Sequence, residues 1–319
     1  MTSPLGLPAH VRLVEVGLRD GLQAVPEPVP TSAKVEIVEM LLAAGFREIE
    51  AVSFAHPSVL PQLADAEAVM AAVPRPDGVV YRGLVPNARG AHRAAQCGLQ
   101  EIVAVVSADE EMSRRNQRRG TVELLADLPE IAGAARGGGA RLVVAVACAF
   151  FAPARGPVPR EELDRVVDAA VDAGASGVYL AATTGMEHPR EIAEGIHHVR
   201  DRHPGLQIGV HLHNRNGLAM ANALAAMQAG ADWLEGAFCG LGGDMWFPGD
   251  PAVLGNAPME DLLVLCQDVG VHTGVDLATY REAARRVTQL TGRASVSHVE
   301  RGGSRAELAA AHWPDSPHA

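Results

Sequence analysis

Eight short β-branched runs, each followed by a stretch of helical periodicity, constrain this chain more than any other feature. The runs lie at 11–18, 48–54, 79–86, 101–107, 141–151, 177–184, 208–213 and 233–239. Between them, helices are expected at 33–44, 57–73, 88–97, 121–136, 160–174, 189–202, 218–229 and 258–268. Residues 160–174 show the pattern well. Leu163, Val166, Val167, Ala170 and Val171 fall at i, i+3, i+4, i+7 and i+8, the stripe of a helix facing a core. Strands that alternate with helices form a parallel sheet. Eight such units suit a closed (β/α)8 barrel (TIM barrel), and no GxGxxG follows the first strand to suggest a dinucleotide fold. A further helix at 276–291 and a tail complete the chain. The expected organisation is one catalytic barrel over 1–292 and a C-terminal tail over 293–319.

Composition narrows the function. A net charge of −11 disfavours general nucleic-acid binding, which needs a basic surface. The basic stretch SRRNQRRG at 113–120 is read as a solvated loop. No apolar run approaches a membrane span, and the N-terminus lacks a charged region followed by an apolar one, so a cytoplasmic protein is expected. The four cysteines show no CxxC pairing and are expected to be reduced. Lys34, the only lysine, sits in the first helix, which speaks against Schiff-base chemistry at a strand end.

Barrels of this kind carry their chemistry at the C-terminal ends of the strands. Those ends offer Arg19 and Asp20, Glu50 and Ser53, Cys148, Thr183, His211 and His213, and the loop after the eighth strand ends in Asn256. His211 and His213 stand two apart on one strand and so face the same side. They either hold a metal or form a hydrogen-bonded core pair. With Asp20 and Asn256 they make a mixed nitrogen and oxygen set suited to Mg²⁺, Mn²⁺, Co²⁺ or Zn²⁺. Such an ion would act as a Lewis acid on a hydroxy or oxo acid, with Arg19 offsetting the charge of an enolate.

The segments VEVGLRDGLQ, IEAVSFAHPSVLPQLAD, GLVPNARG, HLHNRNGLAMANALAAMQAGADWLEG and GLGG…LGN resemble the 3-hydroxy-3-methylglutaryl-CoA lyase family over residues 10–290. That resemblance implies metal ligation by Asp20, His211, His213 and Asn256, with Mg²⁺ or Mn²⁺ foremost. It implies Arg19 as the group polarising the carbonyl, Glu50 and Ser53 at the acyl site, a CoA-thioester or hydroxy/oxo-acid substrate, and a homodimer. The chain departs from the family at three places. Tyr179 and Ala182 stand where the family has the Ser and Asp of SLGDT, and Asp244 replaces the loop cysteine of GLGGCP. The basic residue expected soon after RDGLQ is absent. Tyr179 and Thr183 are expected to touch substrate, and Asp244 or Glu50 to carry the proton, with Cys239 a further candidate. Met245, Trp246 and Phe247 either lid the site or pack as a surface loop. The expected activity is carbon–carbon cleavage through a metal-stabilised enolate, on a substrate related to the family's own. An aldol or Claisen condensation, or a barrel that binds without turnover, is the alternative.

Overall fold

A computed structural model describes residues 5–243 and 255–313. Eight parallel strands close into a barrel: β1 Arg12–Glu15, β2 Glu48–Ser53, β3 Val80–Val85, β4 Glu101–Ser107, β5 Arg141–Ala147, β6 Gly177–Ala182, β7 Gln207–Leu212 and β8 Trp233–Gly236. Neighbours follow chain order, and β1 seals against β8 from Arg12↔Trp233 to Glu15↔Gly236. The class expected from the sequence is the class observed.

The alternating strands separate two cores. Their outward faces meet the helices in a continuous apolar shell that includes Ile37, Leu41, Ile49, Val144, Ile208 and Leu262. The barrel interior is narrower and filled by Val14, Val16, Val103, Val143, Ala145, Tyr179, Ala181, Trp233 and Ala237. Helix α1 (Thr31–Ala43) buries Ile37, Val38 and Leu41 together with Lys34. The Lys34 ammonium is spent on Asp65 at 2.6 Å and the Gln62 carbonyl at 2.7 Å, far from any role as a nucleophile. The helix read at 160–174 is Arg160–Asp172, with Leu163, Val166, Val167 and Ala170 buried as the stripe requires.

Three local readings are corrected. The first strand stops at Glu15, and Gly17–Gly21 form a π-helical turn in which the Gly21 amide donates to the Val16 carbonyl five residues back. The basic stretch is largely a helix, Glu110–Gln117, capped by Asp109 accepting from the Met112 amide at 2.8 Å. Arg114 and Arg115 pair with Glu110 and Glu111 one turn back, so its charge is partly neutralised along the helix. The segment 57–73 is a short 3₁₀ turn, Pro61–Leu63, followed by a helix at Ala66–Ala72, because proline at 61 starts a new turn.

Beyond the barrel, Leu277–Thr291 forms a helix capped by Asp276 and buries Tyr280, Ala283, Ala284 and Val287. The chain then returns to the mouth. The Val296 amide donates to the Cys239 carbonyl at 3.0 Å, and Asp261 accepts from the Ser297 hydroxyl and the Val299 amide. No helix among the described residues is long and apolar enough to cross a membrane.

Candidate active site

The π turn after β1 presents Arg19 and Asp20, both buried, at the C-terminal end of the barrel. Glu15 holds this turn against the start of the loop after β8, accepting from the Gly17 amide at 2.7 Å and the Phe238 amide at 3.1 Å. Gly17 has to be glycine here. A Cβ would lie 2.6 Å from both the Glu15 carboxylate and the Phe238 ring.

Strand β7 sends His211 and His213 to the same mouth, as the period of two requires. Their rings meet edge to face at 4.9 Å, with the two Nε2 atoms 3.2 Å apart. His213 Nδ1 lies 2.7 Å from the Thr183 carbonyl, which can only accept, so that nitrogen carries the proton. His211 Nδ1 lies 3.1 Å from Glu235 Oε2. A carboxylate also accepts, so in the neutral imidazoles both protons sit on Nδ1 and both Nε2 atoms turn toward one spot, where His213 Nε2 also lies 3.8 Å from Asp20 Oδ2. Backbone pairing places Asn256 beside them: His213 and Asn256 form an antiparallel bridge, and the Ala257 amide donates to the Leu212 carbonyl at 2.7 Å.

Asp20 completes the cluster. Asp20, His211 and His213 each bring a ligand atom within 4.8 Å of the others. Asn256 Nδ2 donates to Asp20 Oδ2 at 2.7 Å and to the Leu241 carbonyl at 2.9 Å, while its Oδ1 is buried without a partner. Flipping the amide would set oxygen against two acceptors, so the orphan is Oδ1. Two imidazole nitrogens 3.2 Å apart, an adjacent carboxylate and an orphaned amide oxygen make a donor set that fits a divalent cation.

Arg19 lies at the edge of this set. Its Nε donates to Glu50 Oε1 and its Nη1 to Asp20 Oδ1. Burial opposes the charge on Arg19, but Glu50 and Asp20 more than offset it and hold the guanidinium protonated. Burial likewise opposes the charge on Asp20, yet Arg19 and the two imidazoles keep its carboxyl well below the usual range. Burial pushes Glu50 the other way, upward, against the pull of Arg19, and its Oε2 has no partner. The Tyr179 ring centroid is 5.9 Å from that of His211. Burial and the nearby Glu50 and Glu235 keep its hydroxyl protonated.

The remaining expected residues divide. The Thr183 hydroxyl is used within the fold, accepting from the Cys148 amide at 2.8 Å and reaching the Ala181 carbonyl at 3.3 Å. Ser53 Oγ accepts from the Ala55 amide at 3.3 Å. Cys239 is buried, with its thiol pushed up to about 12 by burial and its Sγ on the Ala284 carbonyl, so it is poorly placed to move protons. Asp244 and Met245 to Phe247 lie outside the described residues. Sequence reasoning missed Glu235, Arg82 and Glu15. For Glu235 and Arg82 the available signal was a charged residue at an inward position of an otherwise apolar strand, whereas Glu15 faces outward and accepts from the Tyr280 hydroxyl.

A closed parallel barrel with a cation-binding donor set and a buried arginine at its C-terminal mouth defines the class of metal-assisted barrel enzymes. A family model described as HMGL-like matches residues 10–287. The chain is 35% identical over 303 residues to the (R)-citramalyl-CoA lyase of Chloroflexus aurantiacus, spanning 92% of this chain and 95% of that protein. It is 32% identical over 286 residues to a hydroxymethylglutaryl-CoA lyase of Bacillus subtilis, spanning 90% and 95%. It also superposes on an HMG-CoA lyase from Acinetobacter baumannii in complex with coenzyme A and 3-methylmalate. That match has a TM-score of 0.88 and 33% identity, covering 97% of this chain and 99% of that one. The chain belongs to the HMGL-like family and is a carbon–carbon lyase.

Proposed function

We propose that this lyase cleaves the C2–C3 bond of a 3-hydroxy-3-methylacyl-CoA thioester, releasing acetyl-CoA and an oxo acid. The observation that carries the reading is the convergence of ligand atoms from Asp20, His211 and His213 beside the orphaned Asn256 oxygen. Asp20, His211, His213 and Asn256 would hold a Mg²⁺ or Mn²⁺ ion, as the oxygen-containing donor set favours. The ion would supply Lewis acidity toward the substrate's hydroxyl and carbonyl oxygens.

The protein's own groups then account for the rest. Cleavage moves the C2–C3 electron pair onto the thioester carbon skeleton as an enolate, and the Arg19 guanidinium is the fixed cation that offsets this charge. A base removes the C3 hydroxyl proton, and an acid later protonates C2. Glu50, buried with one free oxygen, and Asp244 in the loop before Asn256 are the carboxylates assigned to these transfers. The Tyr179 hydroxyl donates to a substrate oxygen, and Ser53 lines the acyl end. Thr183 acts from one step back, through the carbonyl that orients His213. Both relatives' named substrates, citramalyl-CoA and hydroxymethylglutaryl-CoA, belong to the proposed class. A cytoplasmic homodimer is the expected setting, on the resemblance alone.

The test is cleavage of (R)-citramalyl-CoA and 3-hydroxy-3-methylglutaryl-CoA in D₂O with Mn²⁺. Deuterium should enter the methyl group of the acetyl-CoA formed, and chelator should abolish the reaction. Failure to cleave either thioester with Mn²⁺ or Mg²⁺ present would remove this substrate class.

A further inference from the structure

Inside the barrel, Glu235 is fully buried and meets an indole, a guanidinium and an imidazole. Oε1 accepts from the Trp233 indole Nε1 at 2.9 Å and from Arg82 Nη1 at 3.1 Å, while Oε2 faces His211 Nδ1 at 3.1 Å. Arg82 is fixed in turn. Its Nη2 donates to Glu48 at 2.7 Å, its Nε lies 2.6 Å from Glu101, and its guanidinium stacks 4.9 Å above the Trp233 ring. The indole can occupy this place only because residue 209 is glycine; a Cβ there would fall 2.0 Å from the Trp233 ring. An indole N–H and a guanidinium donate and cannot accept. Oε1 is therefore committed to two donors, and only Oε2 is left for the imidazole.

We propose that Arg82 and Trp233 are positioning residues that lock Glu235 as a two-sided acceptor. Glu235 in turn holds His211 in the Nδ1–H tautomer and leaves Nε2 bare for the cation. This inference rests on the metal reading above and adds the device that makes His211 competent. Three residues that touch neither cation nor substrate thereby set the affinity of the site.

Glu235→Gln tests it with almost no change of shape. Gln has one acceptor and one donor end. Arg82 and Trp233 both demand the acceptor, so the amide NH₂ must face His211 Nδ1. The imidazole then moves its proton to Nε2 and cannot ligate. In metal-free protein labelled with ¹⁵N-histidine, ring shifts should place the His211 proton on Nδ1 in the wild type and on Nε2 in Glu235→Gln. Mn²⁺ affinity, read by electron paramagnetic resonance, should fall about 10- to 100-fold, the usual range for loss of an outer-shell partner. Trp233→Phe removes a single donor and should weaken Mn²⁺ about threefold, as for one ordinary net hydrogen bond.

A wild-type His211 carrying its proton on Nε2 overturns the proposal, even if the glutamine variant does not fold. So does a folded Glu235→Gln with unchanged tautomer and Mn²⁺ affinity, while wild-type affinity in Trp233→Phe removes the indole from the device. Wild-type protein that binds no Mn²⁺ would instead sink the metal reading itself, so the two failures are distinguishable.

Discussion

Two buried clusters of charge lie in and at the mouth of this barrel, and they close their charges differently. In the interior, Arg82 meets Glu48, Glu101 and Glu235, and from the rim Arg12 reaches Glu48 at 3.0 Å and Arg141 reaches Glu101 at 2.7 Å. Three guanidiniums thus answer three carboxylates. At the mouth, among the described residues, Arg19 is the guanidinium paired with Asp20 and Glu50, and the two neighbouring imidazoles bring their Nε2 atoms to 3.2 Å. Among the described residues that cluster sets one guanidinium against two carboxylates and leaves acceptors on Glu50 and Asn256 without a hydrogen-bond partner. In the interior layer each carboxylate is matched by a guanidinium of the chain. The mouth is the cluster that a cation would complete on the proposed reading, and the difference separates scaffold from site although both use the same residue types.

The contrast breaks most visibly if the mouth loses a ligand. His213→Ala or Asp20→Asn should abolish Mn²⁺ binding and lower turnover by about 10³-fold or more, since a cation contributes several kcal/mol of charge stabilisation. Paramagnetic resonance alongside a cleavage assay checks both, and retained Mn²⁺ affinity would erase the distinction between the clusters. Arg19→Met should cut kcat by about 10²–10³-fold while Mn²⁺ still binds, because the guanidinium faces developing charge and not the ion. A change confined to KM would make Arg19 a binding group only.

A third, weaker contrast concerns protons. Glu260, behind the loop after β8, accepts from the Cys239 amide at 2.8 Å with one oxygen and has no partner for the other. Burial pushes its carboxyl up to about 7. A raised folded-state value means the native protein binds the proton more tightly than the unfolded chain. The resulting stability is full below about pH 4.5 and declines as pH rises to about 7. Urea unfolding at pH 5 and pH 8 should therefore show a drop that Glu260→Gln reduces by up to about 3 kcal/mol. Equal slopes for both proteins would count against a buried, proton-holding Glu260. The smallest effect belongs to the exposed pair Arg115–Glu111, where Arg115→Gln should shift stability by about 0.5 kcal/mol or less and leave turnover unchanged.

The barrel is legible in the sequence because apolar runs of strand length alternate with 3.6-residue stripes along the whole length from β1 to the helix at Met259–Asp268. The histidine pair is legible for the same reason, since alternation alone sends residues 211 and 213 to one side. The interior network is not legible. Glu235 lies 24 residues from His211 and 153 from Arg82, and local patterning carries no record of contacts made across a closed barrel. In the run WLEG the glutamate stands out as a charge on an inward position, but its partners do not. The basic stretch at 113–120 misled for a different reason. Its positive charges attract notice, while the acidic partners that fold it into a helix stand one turn earlier.

The π turn at Gly17–Gly21 has a consequence for how the length of this chain can vary. Arg19 and Asp20 face the mouth because one extra residue is accommodated between Glu15 and Leu22, where the Leu22 amide reaches back to the Gly17 carbonyl. A single-codon deletion there would return the turn to ordinary helical spacing and swing each following side chain by about 100°. A surface loop can gain or lose a residue without moving a side chain at the mouth, whereas this turn works like a key whose cuts are useless if shifted by one position.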